Sequence, residues 1–231
     1  MKNLTNIFEK YNIFVSNEQE KQFDLFFNFL IEKNKVMNLT AITEESEVLF
    51  KHFLDCCLAE SLFPKNATVV DVGAGAGFPS IPLKIVRPDL NITMIDSLNK
   101  RVNFLNETMS LLNLKNIQAN HFRAEDFAKQ FREKFDVATA RAVAPLCTLL
   151  EYLLPLIKVG GKCIIYKSNK IDEELFLAKN ALHILGGEVK EIKTYNIQEK
   201  DITRNVLVVE KVKKTSEKYP RGKNEPKTKP L

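Results

Sequence analysis

Residues 68–79 read Thr-Val-Val-Asp-Val-Gly-Ala-Gly-Ala-Gly-Phe-Pro, a short apolar run followed at once by a glycine-rich loop. The β-branched residues predict a buried strand, and Pro79 occupies a position where a helix can begin. The alternate glycines let the loop adopt positive φ and let a ligand approach its backbone closely. A second apolar run ends at Asp96, 19 residues after Gly77. Together they predict a nucleoside pocket in which the Asp96 carboxylate accepts ribose hydroxyls.

The spacing of the glycines indicates which nucleoside cofactor binds. Gly73, Gly75 and Gly77 form the pattern G-x-G-x-G, whereas the dinucleotide fingerprint G-x-G-x-x-G would have its third glycine at Phe78. The amino-acid end of S-adenosyl-L-methionine needs no pyrophosphate cradle. The loop therefore favours S-adenosylmethionine over NAD as the cofactor.

The composition is that of a globular chain with a sizeable core, since 45% of the 231 residues are hydrophobic and 27% are charged. The sequence lacks an apolar run near the roughly 20 residues that cross a bilayer, and it begins without the apolar core of a signal peptide. The four cysteines include an adjacent pair and form no C-x-x-C, and there are three histidines. We therefore expect a cytoplasmic protein with no metal centre and no disulfide framework.

The positive charge is concentrated at the C-terminus. Residues 211–231 hold eight basic and two acidic residues, whereas residues 1–210 hold 26 basic and 27 acidic residues. With three prolines and few apolar residues, this basic tail cannot form its own core and is predicted to be mobile in isolation. It is either a solubilising tail or an arm that binds the phosphates of a polyanion.

Residues 1–65 predict a helical extension. Ser16 and Gln19 have the form of a capping box, and apolar residues follow at helical spacing. A further helix is predicted over residues 44–61, where His52 and Asp55 share one face. Spacing alone leaves open whether these two side chains form a catalytic dyad or only an exposed pair or local cap.

From Thr68 onward, apolar strands alternate with helical segments, which implies a mostly parallel sheet covered by helices on both faces. The last two strands have no helix between them, so they predict an antiparallel hairpin at one side of the sheet. The predicted class is α/β: a doubly wound, Rossmann-like sheet of seven strands within residues 66–210, as in class I methyltransferases. The strands are expected near 68–72, 91–96, 116–120, 135–140, 161–167, 188–194 and 205–210.

Ligands of doubly wound sheets bind beyond the carboxyl ends of the strands. Ala124 and Glu125 follow the third strand, and Arg141 ends the fourth. Glu125 either meets the adenine edge or caps the helix that opens beside it, whereas Arg141 is expected to face the cleft. Lys100 and Arg101 open the helix after the second strand and either contact a substrate phosphate or lie on a solvated face.

These segments together resemble the small-subunit ribosomal RNA guanine-N7 methyltransferases, also called the glucose-inhibited division protein B family. Two positions depart from the family pattern: Lys51 replaces a usual arginine and Cys56 a common serine, both on the helix expected to contact RNA. The resemblance is carried by Asn38–Thr40, Lys51–Asp55, Asp71–Leu83, Asp96–Ser97, Lys100–Arg101, Ala124–Glu125, Arg141–Ala142 and Lys218–Arg221.

The resemblance implies that the chain methylates 16S ribosomal RNA of the small subunit at N7 of a guanine. We expect His52 and Arg141 to position the guanine, and the basic tail to bind RNA rather than to serve cofactor binding or folding. The implied cofactor contacts, beside Gly75 and Asp96, are Gly73, Phe78, Ala124, Glu125 and Arg141. The candidate RNA contacts are Lys51, Lys100, Arg101, Lys218 and Arg221.

The sequence lacks the motif of another class of methyltransferase, which agrees with methylation at guanine N7. Guanine N7 carries a lone pair and no proton, so methyl transfer needs in-line positioning but no general base. Enzymes that methylate exocyclic amines typically carry an Asn/Asp-Pro-Pro-aromatic motif, where this chain has Arg141-Ala142-Val143-Ala144. Two alternatives from other classes stay open: a non-catalytic ribosome-assembly factor that retains the fold, and an NAD(P)-dependent oxidoreductase.

Overall fold

The computed structural model describes residues 1, 3–167 and 171–231. Its centre is a seven-stranded sheet with the strand order β3-β2-β1-β4-β5-β7-β6. Strands β1 to β5 are parallel, and β7 lies antiparallel between β5 and β6. The predicted doubly wound sheet and its antiparallel hairpin are therefore confirmed. The strands are β1 (Thr68–Val72), β2 (Asn91–Asp96), β3 (Ile117–His121), β4 (Phe135–Arg141), β5 (Ile157–Lys167), β6 (Gly187–Ile197) and β7 (Ile202–Lys211).

Helices cover both faces of the sheet because alternate strand residues enter two separate cores. Val69 and Val137 belong to one core, whereas their neighbours Val70 and Ala138 belong to the other. The first core includes α2 (Asn17–Met37), α5 (Ser80–Val86) and α6 (Asn99–Leu111). The second includes α7 (Ala124–Gln130), α8 (Leu146–Leu153) and α9 (Ile171–Leu185).

The N-terminal extension, which opens with α1 (Leu4–Glu9), packs onto the sheet through aromatic residues. The predicted capping box of α2 is present, with reciprocal hydrogen bonds between Ser16 and Gln19. The Phe26 ring stacks on Phe53 at a centroid distance of 5.3 Å and lies 5.7 Å from the ring of Phe78. The extension therefore continues one hydrophobic core from α2 to the glycine loop.

The helix predicted over residues 44–61 is present, but it is not one regular α-helix. The segment comprises α3 (Glu45–Val48), a π-helical turn (Leu49–Leu54), α4 (Asp55–Cys57) and a 3₁₀ turn (Glu60–Leu62). A π turn inserts an extra residue into the helical repeat, so it changes which side chains share a face. Periodicity at 3.6 residues per turn does not reveal that insertion.

The basic tail is not a free arm in the folded protein, because residues 212–231 pack against the sheet domain. Tyr219 is 5% exposed and Pro226 is buried, and α10 (Glu225–Thr228) contacts α8. Arg132 donates hydrogen bonds to the carbonyl oxygens of three residues of this segment, one of which is Tyr219. A charge count misses such anchors because each depends on a partner far away in the sequence.

Lys211, counted among the basic tail residues, is a buried residue of the sheet. Its Nζ donates hydrogen bonds to Glu133 Oε1 at 3.0 Å and to the carbonyl oxygen of Ile157 at 2.9 Å.

Within the described residues, the helices are all too short or too polar to cross a membrane.

Candidate functional site

Two cavities open at the carboxyl ends of the strands, where β1 and β4 lie side by side and the strand order reverses. One cavity, of about 300 Å³, lies where the sequence predicts the nucleoside and is named the adenosine-side cavity for that prediction. It is lined by Gly73, Asp96, Ser97, Arg123, Ala124, Glu125, Tyr152, Asn224 and Lys227 among others. The other, of about 440 Å³, holds the residues expected to position the guanine and is named the substrate-side cavity. It is lined by Lys51, His52, Asp55, Arg141, Ala142, Tyr166, Lys167 and Arg204 among others. Consecutive residues line the two cavities, since Val143 lines the first and Ala142 the second.

The glycine loop after β1 needs residues without a side chain. Gly73, Gly75 and Gly77 have φ of +77°, +60° and +87°, in the left-handed region. A Cβ on Gly77 would lie 2.5 Å from Cγ1 of Ile81, whereas one on Gly75 would meet only the Gly73 carbonyl oxygen, at 3.9 Å. The backbone at Gly75 is therefore open to a ligand, and Gly77 permits the close packing of loop on helix.

Asp96 ends β2 beside this loop, as the sequence predicted, and its side chain is 3% exposed. Its Oδ1 accepts a hydrogen bond from the Leu98 backbone N–H at 2.9 Å, and its Oδ2 accepts one from the Gly75 N–H at 3.0 Å. Arg101 Nη1 approaches Oδ2 at 3.4 Å. Since a carboxylate offers about four lone-pair sites, roughly one remains for a ribose hydroxyl.

Asp71, within β1, is the buried polar group that the sequence analysis missed. Its Oδ2 accepts a hydrogen bond from the Ser80 hydroxyl at 2.7 Å, whereas its Oδ1 has no partner among the described residues. Burial raises the pKa of Asp71 to about 7, although the Ser80 hydrogen bond and the Arg141 charge oppose that rise. An unpaired buried carboxyl oxygen beneath the glycine loop suits a cationic ligand group such as the ammonium of S-adenosylmethionine.

Ala124 and Glu125 lie in the first turn of α7 and line the adenosine-side cavity. The interpretation of Glu125 as a helix cap is wrong, because α7 begins at Ala124 with Arg123 at the N-cap position. Glu125 is 8% exposed and accepts a hydrogen bond from the Tyr152 hydroxyl at 3.4 Å. Its carboxylate is therefore placed to accept a donor from a ligand in the cavity.

Arg141, at the end of β4, lines the substrate-side cavity and not the adenosine-side one. Its Nη1 donates hydrogen bonds to Asp55 Oδ2 at 2.8 Å and to the Lys51 carbonyl oxygen at 3.1 Å, and its Nη2 donates to His52 Nδ1 at 2.9 Å. The guanidinium lies 4.9 Å from the centroid of the Phe78 ring, on which the His52 ring stacks at 4.5 Å. The structure thus brings together Phe78, Arg141 and His52.

His52 is held as a neutral imidazole. Its Nδ1 lies 2.9 Å from Arg141 Nη2, which can only donate, and 3.0 Å from the Lys51 carbonyl oxygen, which can only accept. Its Nε2 lies 2.9 Å from Thr40 Oγ1. Burial and the neighbouring Arg141 charge lower the pKa of His52 to about 4. Both ring nitrogens are therefore engaged.

Asp55 is shared by two arginines. Besides Arg141, Arg204 contacts it, with its Nε 3.2 Å from Asp55 Oδ1. The carboxylate side chain is 6% exposed, and both guanidinium groups line the substrate-side cavity. The sequence analysis missed Arg204, because it lies on the last hairpin and carries no motif. Asp55 and His52 lie in the same site, and Arg141 contacts both of them.

The candidate RNA contacts have different surroundings. Lys51 lines the substrate-side cavity and pairs with Glu47. Lys100 is exposed, whereas Arg101 is half-buried beside Asp96.

The two candidates on the C-terminal segment also differ. Lys218 is exposed, with its Nζ 5.0 Å from the Tyr219 ring centroid. Arg221 is not a free cation, since it pairs with the buried carboxylate of Glu151 at 2.7 Å.

Comparison with known proteins places this geometry in a family. The sequence model described as rRNA small subunit methyltransferase G matches residues 19–203. A ribosomal RNA small subunit methyltransferase G of Lachnoclostridium phytofermentans is 49% identical over 94% of this chain and 91% of its own, and one of Exiguobacterium is 50% identical over 94% and 93%.

The crystal structure of a ribosomal protein L11 methylase from Lactobacillus delbrueckii subsp. bulgaricus shares the fold alone. Its TM-score is 0.55 at 17% identity, over 70% of this chain and 78% of that chain. The fold is therefore that of class I methyltransferases, and the chain belongs to the rRNA small subunit methyltransferase G family.

Proposed function

We propose that the protein transfers a methyl group from S-adenosylmethionine to N7 of a guanine in 16S ribosomal RNA. The observation that carries the proposal is the pair of cavities at the carboxyl ends of the strands, lined by the consecutive residues Ala142 and Val143. The first cavity holds the carboxylates of Asp96 and Glu125, which suit an adenosine. The second holds basic and aromatic side chains, beside the carboxylates of Asp55 and Glu174, which suit an RNA base. The relatives named as methyltransferases of small-subunit ribosomal RNA support the same substrate class.

The residues of the adenosine-side cavity fit the cofactor. Asp96 would accept a hydrogen bond from a ribose hydroxyl, and Glu125 would accept one from the exocyclic amine of adenine. The backbone of Ala124 would contact the edge of the adenine ring. The open backbone around Gly75 and the unpaired Oδ1 of Asp71 would hold the amino-acid end. When bound, S-adenosylmethionine supplies a methyl group on a sulfonium, which is electrophilic without further activation.

The substrate-side residues then act by positioning. N7 of guanine carries no proton, so no side chain has to remove one, and the neutral His52 is already hydrogen-bonded through both ring nitrogens. Arg141 is fixed by Asp55, His52 and the Lys51 carbonyl, which hold its guanidinium in the substrate-side cavity. A guanidinium held rigidly in this way would orient the base so that the nucleophile and the methyl group are in line, which is the main requirement of the reaction.

The rate of methyl transfer at saturating cofactor and RNA is expected to stay nearly flat from about pH 6 to pH 9. His52 remains neutral throughout, since its pKa is lowered to about 4, and N7 has no proton to lose. Single-turnover rates measured across this range provide the test. A bell-shaped profile that disappears in His52→Ala would show instead that His52 is a catalytic acid or base.

Asp96→Ala is expected to weaken S-adenosylmethionine binding by about 1–3 kcal/mol, because a charge-assisted hydrogen bond to a ribose hydroxyl is lost. Calorimetric titration measures the effect, and Asp126→Ala on the exposed face of α7 is the matched control. The Asp96 carboxylate has two roles, since it accepts hydrogen bonds from the backbone of the loop and would accept one from the ribose. Asp96→Asn separates these roles, because its amide oxygen can still accept a hydrogen bond from the loop. Equal cofactor affinity in Asp96→Ala and Asp126→Ala would refute the ribose contact.

The proposed function itself is tested with methyl-labelled S-adenosylmethionine and small-subunit RNA, supplied as naked RNA and as 30S particles. Nucleoside mass spectrometry should find the label in 7-methylguanosine. Label on a ribose, on an exocyclic amine or on another base would contradict the proposed position. Cofactor binding without transfer to either substrate would favour the assembly factor, and NAD binding the oxidoreductase.

A further inference from the structure

We infer that the C-terminal segment, residues 212–231, forms one wall of the adenosine site, with Asn224 and Lys227 as cofactor-binding residues. The inference rests on the proposed use of S-adenosylmethionine. Asn224 and Lys227 line the adenosine-side cavity together with Asp96 and Glu125. They come from a part of the chain far from the glycine loop, and the sequence predicted that this part serves RNA.

The segment is held in place by a buried ion pair. Glu151 on α8 is 0% exposed, and its Oε1 accepts hydrogen bonds from the Arg221 backbone N–H at 2.8 Å and from Arg221 Nε at 2.9 Å. Arg221 Nη2 donates to Glu151 Oε2 at 2.7 Å and to the Lys229 carbonyl oxygen at 2.8 Å. Without Arg221, the buried Glu151 carboxylate would lose the guanidinium that pairs with it, so the docked segment is part of the folded state.

A second contact fixes the part of the segment that reaches the cavity. The Thr148 hydroxyl, also on α8, donates a hydrogen bond to the Pro226 carbonyl oxygen at 2.8 Å. Pro226 lies between Asn224 and Lys227, so this bond holds both of them over the cavity. On the other side, Arg123 Nη1 approaches Asn224 Oδ1 at 3.4 Å. The wall therefore contacts both α8 and the start of α7.

The chemistry of the segment complements the rest of the cavity. Asp96 and Glu125 are acceptors when ionised, which suits the ribose hydroxyls and the exocyclic amine of adenine. Adenosine also carries ring nitrogens and ribose oxygens that accept hydrogen bonds, and these need donors. The Lys227 ammonium and the Asn224 amide supply donors from the opposite wall.

The test uses the full-length protein and calorimetric titration with S-adenosylmethionine and with S-adenosylhomocysteine. Lys227→Ala and Asn224→Gly are each expected to weaken binding of both ligands by about 5-fold to 20-fold. Glycine is chosen for Asn224 because that residue has φ of +60°. Lys229→Ala, on the same exposed turn, is the matched control and should bind like the wild type.

A second measurement follows the segment itself. If the cofactor binds to the docked segment, saturating S-adenosylhomocysteine should slow limited proteolysis within residues 212–231 of the wild type by about 5-fold or more. At a concentration of S-adenosylhomocysteine that half-saturates the wild type, the ligand should slow proteolysis of Lys227→Ala less than it slows proteolysis of the wild type. Equal cleavage rates with and without ligand would overturn the inference.

The outcomes separate this inference from the proposed function. A wild type that binds the cofactor and methylates RNA, with Lys227→Ala and Lys229→Ala of equal cofactor affinity, overturns the inference alone. Weaker RNA binding by Lys227→Ala at unchanged cofactor affinity overturns it in favour of an RNA contact. A wild type that does not bind S-adenosylmethionine overturns the proposed function and this inference together.

Discussion

Asp71→Asn is expected to raise the free energy of unfolding at pH 8 by about 2 kcal/mol and to weaken S-adenosylmethionine binding by about 10-fold or more. The Asp71 carboxyl is fully buried, and its pKa is raised from 3.8 to about 7 in the folded protein. Ionising it in place therefore opposes folding by about 4 kcal/mol. The amide avoids that cost, but its unpaired NH₂ group offsets roughly half of the gain.

The sign of this effect has a defined pH dependence. Between about pH 4 and pH 7 the unfolded chain loses the Asp71 proton while the folded protein keeps it, so wild-type stability falls as the pH rises. Below about pH 4, where Asp71 is largely uncharged in both states, Asp71→Asn should be less stable than the wild type by about 2 kcal/mol, because only the cost of the unpaired amide remains. The difference should change sign between about pH 4 and pH 7 and become a constant gain above about pH 7. Urea denaturation of both proteins at several pH values measures the difference.

Asp136 provides a control of the opposite sign. Partial burial raises the pKa of Asp136, but hydrogen bonds from Lys158 and Thr68 outweigh burial and lower that pKa to about 2. Asp136→Asn should therefore destabilise the protein above about pH 4. An Asp71→Asn variant that loses stability at pH 8, as Asp136→Asn should, would contradict the account of Asp71.

Asp55→Ala is expected to lower the free energy of unfolding by about 3 kcal/mol and to abolish methyl transfer. The substitution leaves Arg141 and Arg204 without the carboxylate that both contact. Their mutual repulsion then displaces the Arg141 guanidinium from His52 and Phe78. Denaturant unfolding and single-turnover rates measure the two effects.

Glu107→Ala is the matched control for Asp55→Ala. It breaks the ion pair of Glu107 with Lys33, in which the Glu107 side chain is 52% exposed, and should change stability by less than about 1 kcal/mol. The loss of stability in Asp55→Asn should lie between the losses in Asp55→Ala and Glu107→Ala, because the amide oxygen of the asparagine still accepts a hydrogen bond. Equal stabilities of Asp55→Ala and Glu107→Ala would show that the shared carboxylate contributes little.

The features that the sequence predicted correctly are those set by nearby residues. The strand before the glycine loop, the position of Asp96 at the end of β2 and the capping box of α2 each depend on a few consecutive side chains. The order of strands and helices follows from the same local patterns. Parallel strands then place their carboxyl ends at one edge, which brings Arg141 and Ala124 to the site.

The features that the sequence did not predict depend on partners distant along the chain. Arg204 belongs to the site only because the last hairpin lies beside β5, where Asp55 can be reached. Asp71 looked like an interruption of an apolar strand, although a carboxylate inside a buried run is a recognisable signal of function. The basic tail was interpreted from its charge, and charge does not reveal that Arg221 has a buried partner.

The ion pair of Arg221 with Glu151 also sets an order of events during synthesis. Glu151 is translated 70 residues before Arg221, so α8 emerges from the ribosome long before its counter-ion exists. Until Arg221 arrives, closing the face of the sheet beneath α8 would bury the Glu151 carboxylate without the guanidinium that pairs with it, which opposes closure. We therefore expect the half of the protein that contains α8 to complete its folding late and to expose apolar surface longest during synthesis.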